Sequence, residues 1–492
     1  MSFIYLAVPL AAVVLSFLIK NRKAIYGVVI LSSLITMLLT LWLTYVNVSG
    51  GGNGLVLTMG ILYIDSFSII VLDIITILGF FIHIYSAGYI ERDYISGKID
   101  EKQVKLYFIL MNAFVFTMLV SVSVKNVGIL WVAIEATTLA SVFLVGFYNK
   151  RESLEAAWKY IIICSVGIAL AFLGIVFLHL SSTGVIASPS QVLNFTDLTV
   201  LAKGLDSSVL KFAFIFILLG FGTKVGLAPM HTWLPAAHSQ APSPVSAMLS
   251  GVLLNSAMYG IIRTMTIVNV NLGSNVFTGR LMIFFGLLSI AIAAIVILTQ
   301  KDYKSLLAYS SIEHMGVIAL AAGFFTPASL FAALLHMINH SFTKSMLFLS
   351  TGNILQKYHT TNISRIKGIL KVLPVSGTVF IVGLLAIAGT PPFGIFSCEW
   401  NILTAVFSGK HYIIGSVTAV LLAVVFAGIV HCVFKMFFGE PPSEVESGED
   451  RIAGTAVIVV LLIIVAALGL FMPDAAINLL NNAQAIISGG VC

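Results

Sequence analysis

Hydrophobic positions along this chain come in runs of about 20 residues or more, separated by short polar stretches. A helix of that length matches a hydrocarbon layer about 30 Å thick. The runs predict an all-α polytopic membrane protein with spans near residues 2–19, 25–46, 63–89, 105–122, 127–147, 157–180, 211–233, 241–266, 279–299, 303–323, 328–350, 372–406, 411–437 and 453–472. In lipid every backbone N–H and C=O must find its partner inside the protein, and helices rich in Leu, Ile, Val, Phe and Ala meet that demand. The short alternating strands of a β-barrel are missing from the pattern. Fourteen crossings is the expectation. Asp65 and Asp73 fall within the third run, and 372–406 is too long for one straight crossing, so thirteen or fifteen also fit.

Composition narrows the class. Of 492 residues, 59% are hydrophobic and 9% are charged, against roughly 25% charged in an ordinary soluble domain. The net charge of +6 has no basic cluster on a soluble segment behind it, which argues against a nucleic-acid partner. Its distribution is more informative. The odd-numbered loops and adjoining helix ends hold 18 Lys and Arg and the even-numbered side holds 6, with Lys224 and Lys344 inside spans. The odd loops are therefore expected in the cytoplasm, with both termini on the outer side of a cell inner membrane. The first run lacks the basic start and cleavage site of a signal peptide and reads as a permanent helix. Cys164, Cys398, Cys432 and Cys492 show no C-x-x-C spacing, so neither a metal or iron–sulfur site nor a disulfide framework is expected. A nucleophilic triad, a dinucleotide loop and haem-ligand spacing are missing too. No polar stretch is long enough to form a soluble enzyme.

Two runs are interrupted in related ways. The seventh reads LLGFGTKVGLAPMHTWLP, with Gly220, Gly222, Gly226, Pro229 and Pro235 around Lys224. The twelfth reads LLAIAGTPPFGIFSCEW, with Gly389, Pro391, Pro392 and Gly394 before Glu399. Proline removes a backbone donor and glycine permits the turn that results. Such a break belongs where protein or a polar cavity surrounds it. The interruptions lie five spans apart, and an odd offset turns equivalent helices upside down. That predicts two inverted five-helix repeats, 105–266 and 279–437, with helices seven and twelve broken. Helices one to three (1–104) precede them, and a final helix with a short tail (453–492) follows. Incidental kinks in structural helices are the plainer alternative.

The ionisable residues inside the spans carry the candidate chemistry. Glu135 sits midway along NVGILWVAIEATTLASVFLVGFY, where an isolated carboxylate is costly. Lys224, at the first break, is its expected cationic partner; a buried lysine exchanges protons more readily than an exposed one. A fixed inter-helix ion pair and a lysine snorkelling to the surface are the competing readings. In LLHMINHSFTKSMLFLSTG, His336, His340 and Lys344 recur at steps of four along one helix face. Proton relay, ordinary polar packing and metal binding by the two histidines are all compatible with that spacing, although no third strong ligand lies nearby in sequence. Lys304 begins the tenth span, with Glu313 and His314 deeper in it. Glu399 follows the second break, and His231 and His238 flank the turn after Lys224. Together Glu135, Lys224, Lys304, His340, Lys344 and Glu399 outline a proton path through hydrocarbon more readily than a substrate pocket.

The segments KVGLAPMHTWLPAAHSQAPSPVSAMLSGVLL (224–254), QKDYKSLLAYSSIEHMG (300–316), HMINHSFTKSMLFLSTG (336–352) and GTPPFGIFSCEW (389–400) resemble the antiporter-like proton-translocating subunits shared by respiratory complex I, Mrp-type sodium/proton antiporters and membrane-bound group 4 hydrogenases. The resemblance covers about residues 60–440. It implies a fourteen-helix fold with a central hydrophilic axis. Glu135 then falls on the family's helix-five glutamate, Lys224 on its helix-seven lysine, and Lys304 and His340 on its helix-ten and helix-eleven relay, with Lys344 following in the NHSFTK segment. Glu399 occupies the helix-twelve site. One departure is Asn255, in LLNSAMYG, where the family often carries lysine; asparagine orients water but holds no charge. With EAAWKYIIICSVGIAL and SSIEHMG, that residue makes the chain most similar to the membrane subunit of hydrogenase-4 or formate hydrogenlyase. The resemblance implies a proton- or sodium-moving subunit without a cofactor of its own. Its expected partners are other membrane subunits and a hydrogenase-like peripheral arm carrying nickel–iron and iron–sulfur centres. A subunit of a complex I-like or carbon-uptake assembly, a stand-alone antiporter and a scaffold that has lost pumping are the alternatives.

Overall fold

Polar caps set where each apolar run becomes a helix. In the computed structural model, which describes residues 3–52, 55–57, 60–186, 192–449 and 452–489, the chain opens with α1 (Ile4–Leu18), α2 (Arg22–Ser49) and α3 (Ser66–Ile95). Cys492 lies outside the described residues. Strands β1 (Leu55–Leu57) and β2 (Leu62–Ile64) form a short antiparallel hairpin between α2 and α3. Next come α4 (Glu101–Ser123), α5 (Val127–Val145), α6 (Arg151–Ser181) and the short α7 (Phe195–Val200). Side-chain oxygens of Asn21, Asp65, Asp100 and Asn126 accept from the first backbone N–H groups of α2, α3, α4 and α5, satisfying donors that have no partner within the helix.

The second half begins with α8 (Ser207–Val225), α9 (Trp233–Gln240), α10 (Ser243–Met248) and α11 (Leu254–Leu272), a π-helical turn joining the last two. It continues with α12 (Val276–Ile297), α13 (Tyr303–Phe324), α14 (Pro327–Tyr358) and the one-turn α15 (Ile369–Val372). The chain ends in α16 (Pro374–Ile387), α17 (Gly394–Ser408), α18 (Tyr412–Phe437), α19 (Ile452–Leu470) and α20 (Asp474–Ile487). The run 372–406 is thus divided between α16 and α17. Among the described residues, 11 helical segments are long and apolar enough to cross a membrane, counting Ser243–Leu272 as one, and α1 and α16 are shorter apolar helices. The protein is all-α apart from the hairpin, polytopic, and built for a bilayer.

Polarity is distributed from the centre outward in the reverse of a soluble protein. The segment Ser243–Leu272 is buried except at its C-terminal end and α13 is buried along nearly all its length, whereas little of α2, α18 and α19 is buried. Large apolar side chains such as Phe17, Phe143, Trp158 and Ile413 lie on the outside, while Lys224, Lys304, His336, His340 and Lys344 are fully buried. A lipid solvent favours that arrangement, because charge is costly anywhere but the bundle interior. Glycines let the central helices approach. A Cβ on Gly286 of α12 would stand 2.7 Å from the carbonyl oxygen of Gly316 on α13, the small-residue contact that membrane helices use in place of a hydrophobic driving force.

One expectation changes at the start of α3. The third run places Asp65 inside a span, but the helix begins at Ser66 and Asp65 caps it, accepting from Ser68 N at 2.9 Å. Asp65 also forms a buried ion pair with Arg263 of α11. The guanidinium lies 5.1, 4.6 and 4.8 Å from the ring centres of Phe67, Phe195 and Tyr259. Asp73 does lie inside α3, and the Thr44 hydroxyl donates to its carboxylate at 2.8 Å.

Candidate functional site

Lys224 ends α8 one residue before Val225, and Gly226 turns the chain out of the helix with φ 83°. Positive φ is easy for glycine and strained for most other residues. The Trp233 indole N–H donates to the Thr223 carbonyl at 2.8 Å, sharing that helix-end oxygen with the Gly226 N–H. Lys224 Nζ donates to Thr138 Oγ1 at 2.8 Å and to the Tyr160 hydroxyl at 2.7 Å. Thr138 donates in turn to Glu135 Oε2 at 3.3 Å, and Ser165 to Glu135 Oε1 at 3.1 Å. The expected Glu135–Lys224 partnership therefore runs through a hydroxyl instead of a direct ion pair. One proton position separates the two charges. Glu135 is only half-buried while Lys224 is sealed.

Lys304 and Lys344 follow the same rule. Lys304, on the first turn of α13, donates from Nζ to the Ala241 carbonyl at 2.6 Å, where α9 gives way to α10. Lys344 of α14 donates to the Leu307 carbonyl of α13 at 2.8 Å. Each of the three buried ammonium groups rests on neutral oxygens, so none is locked to a carboxylate. Asn255 donates from Nδ2 to Ser341 Oγ at 2.6 Å, one turn before Lys344 on α14. It sits just past the π-helical turn, where an extra residue per turn widens the helix.

The histidines gather farther along. His314 Nδ1 and His336 Nε2 are 3.0 Å apart, and the His314 and His340 ring centres are 5.5 Å apart. Glu313 Oε2 lies 3.3 Å from His314 Nε2. Glu399, on α17, faces Glu313 across a cavity of about 330 Å³ that Ala388, Gly389, Phe396 and Trp400 also line. Gly389 has φ 73°, and a side chain there would run into the Glu399 carboxylate. The other two candidate histidines stand apart from these bonds: His238 stacks on Phe348 at 5.0 Å and His231 meets Tyr309 edge-on.

The sequence-predicted residues thus fall into two groups, Glu135 with Lys224, and Lys344 with His314, His336, His340 and Glu399. Lys304 and Asn255 stand on the elements between them. Thr138, Tyr160 and Ser165 were not anticipated. Thr138 lies one helical turn from Glu135, and Tyr160 places a phenol in the run WKYIIICS; either polar intrusion into an apolar span marks a residue facing the bundle interior.

Residues 106–427 match the family described as NADH:quinone oxidoreductase/Mrp antiporter, TM, and residues 52–96 match NADH-ubiquinone oxidoreductase (complex I), chain 5 N-terminus. A hydrogenase-4 component F homolog from Methylacidiphilum infernorum is 39% identical over 378 residues, 77% of this chain and 79% of that protein. Hydrogenase-4 component B of Escherichia coli is 29% identical over 82% of this chain, which spans 61% of its length. Among solved structures, a chain of the archaeal membrane-bound sulfane sulfur reductase superposes with a TM-score of 0.87 at 22% identity, covering 98% of this chain and 97% of that one, a likeness of fold.

Proposed function

The chain belongs to the NADH:quinone oxidoreductase/Mrp antiporter membrane family, and we propose that it is the ion-translocating membrane subunit of a group 4 hydrogenase or related oxidoreductase. It moves protons across an inner membrane as partner subunits carry out redox chemistry. The nickel–iron and iron–sulfur centres of such an assembly belong to those partners. The proposal includes an inverted pair of five-helix repeats, 105–266 and 279–437, within about fourteen crossings, helices seven and twelve broken, and both termini on the outer side.

One observation carries the reading. Three lysines are fully buried, yet their ammonium groups donate to hydroxyl and carbonyl oxygens and to no carboxylate. A lysine whose role is structural is paired tightly with an acid, because an unpaired buried charge costs several kcal/mol. A lysine that exchanges its proton must be free of a permanent carboxylate partner. Glu135 and Glu399 are the half-buried acids of the two groups, placed where protons can be exchanged with the surroundings while the lysines between them stay dry. Moving one charge against 100 mV takes about 2.3 kcal/mol, which the redox reaction supplies. Sodium is the second reading, because the family matched by residues 106–427 takes in both complex I and Mrp antiporter membrane subunits.

The test uses the assembled complex in proteoliposomes. Glu135→Gln is expected to lower the ions moved per electron by about tenfold, the effect of ~1.4 kcal/mol on a transfer barrier, while electron transfer and assembly persist. An unchanged ion stoichiometry would remove Glu135 from the path. Flux that continues in sodium-free buffer identifies the proton, and flux that stops identifies sodium. Transport by this chain purified alone would favour a stand-alone antiporter.

A further inference from the structure

We propose that Glu313, His314 and Glu399 form a binding site for one divalent transition-metal ion of the Zn²⁺ class, at the cavity beside α17. The three residues come from α13 and α17, and their ligand atoms all lie within 4.8 Å of one another. Two ligands on a tetrahedral zinc at ~2.05 Å stand roughly 3.3 Å apart. Glu313 Oε2 and His314 Nε2 are already 3.3 Å apart. Glu399, half-buried on the cavity wall, has room to close the remaining distance.

The same atoms lack partners. Both carboxylate oxygens of Glu313 and Nε2 of His314 are buried without a hydrogen bond, although each residue is only 1% exposed. Leaving such groups unpaired is costly. The nearby ammonium of Lys344 makes no hydrogen bond to Glu313, donating instead to the Leu307 carbonyl. A dication between two carboxylates would satisfy the oxygens and neutralise both charges.

The histidine is arranged as a metal ligand would be. His314 Nδ1 lies 3.0 Å from His336 Nε2. With the proton on Nδ1, donating to His336, the Nε2 lone pair points at Glu313. Metal-ligating histidines commonly donate their other ring N–H to a neighbour in this way. An imidazole nitrogen with two carboxylates selects zinc and its neighbours over magnesium, calcium or sodium, which prefer oxygen ligands alone. The cavity of about 330 Å³ gives the ion a route in and leaves space for a water as fourth ligand.

Occupancy has a consequence that rests on the proposed relay. An ion that engages Glu313 and Glu399 takes the lone pairs a passing proton would use, so zinc would stop ion movement at this end. Binding itself does not depend on that reading.

The assembled complex, stripped with a chelator, is titrated with Zn²⁺ in a calorimeter and examined by X-ray absorption at the zinc edge. The expected result is one saturable site with a nitrogen/oxygen shell that includes imidazole. Glu399→Gln, on a half-buried residue that folding tolerates, should weaken binding at least tenfold, and His314→Gln should do the same. Lys224→Met should leave binding unchanged. The absence of a saturable site, or equal affinity in wild type and both ligand variants, overturns the proposal. Flux in zinc-loaded proteoliposomes then separates the two ideas. Tight binding that halts ion movement supports both, whereas tight binding with full ion movement upholds the metal site and removes Glu399 from the proton path.

Discussion

Lys224→Met is expected to cut redox-driven ion movement in the reconstituted complex by about tenfold or more, with assembly intact. The ammonium joins the Thr138 and Tyr160 hydroxyls to the proposed path, donating to both at under 3 Å. Methionine preserves the length and apolar stem but supplies no proton. Folding should tolerate it, because replacing a buried charge by an apolar group of similar volume removes a desolvation penalty. Here no carboxylate is left stranded against the change, since Glu135 keeps its bonds from Thr138 and Ser165. Lys224→Arg is the sharper companion. Arginine retains the charge but does not release its proton at physiological pH, so it should fail nearly as badly. Full ion stoichiometry in the arginine variant would mean that the site needs only positive charge, and full stoichiometry in the methionine variant would sink the relay through Lys224.

Arg263→Ala should act on stability instead. It removes one half of a buried pair and leaves Asp65 uncompensated at the head of α3, a change that typically costs about 3–5 kcal/mol. The guanidinium also stacks near Phe67, Phe195 and Tyr259, adding roughly 0.5–2 kcal/mol in cation–π contact. Thermal unfolding in detergent and the yield of assembled complex should both fall. The double variant Asp65→Asn with Arg263→Met should recover part of the loss, because it removes the orphaned charge. A single variant as stable as wild type would show that the pair is not what joins α3 to α11.

Much of this molecule could be read before its structure. Apolar run length placed the helices, because lipid imposes the same length requirement on each crossing. Glu135, Lys224 and Lys344 stood out because a charge within such a run has few bland explanations. What sequence could not supply was the third dimension. Nothing in the spacing of Glu135 and Lys224 indicates that Thr138 stands between them, since that follows from how α5, α6 and α8 cross. Asp65 looked intramembrane only because β2 is itself apolar and runs straight into α3. Glu399 lies 85 residues and more from Glu313 and His314, so a shared site could not be seen from a motif that spans adjacent residues.

The helix α14 has an implication for how the protein is made. It is 32 residues long, yet it is not among the segments apolar enough to qualify as a crossing on their own. It carries His336, Asn339, His340, Ser341, Thr343, Lys344 and Ser345, all buried. A single lysine near the middle of an isolated helix costs about 2.5–3.5 kcal/mol during insertion by the translocon. The partner that relieves this cost, the Leu307 carbonyl of α13, is synthesised just before it. α14 is therefore expected to enter the bilayer together with α13, its remaining surface being covered by α16, α17 and α19, which are made after it. The residues proposed to move ions thus also make the insertion of their own helix depend on its neighbours.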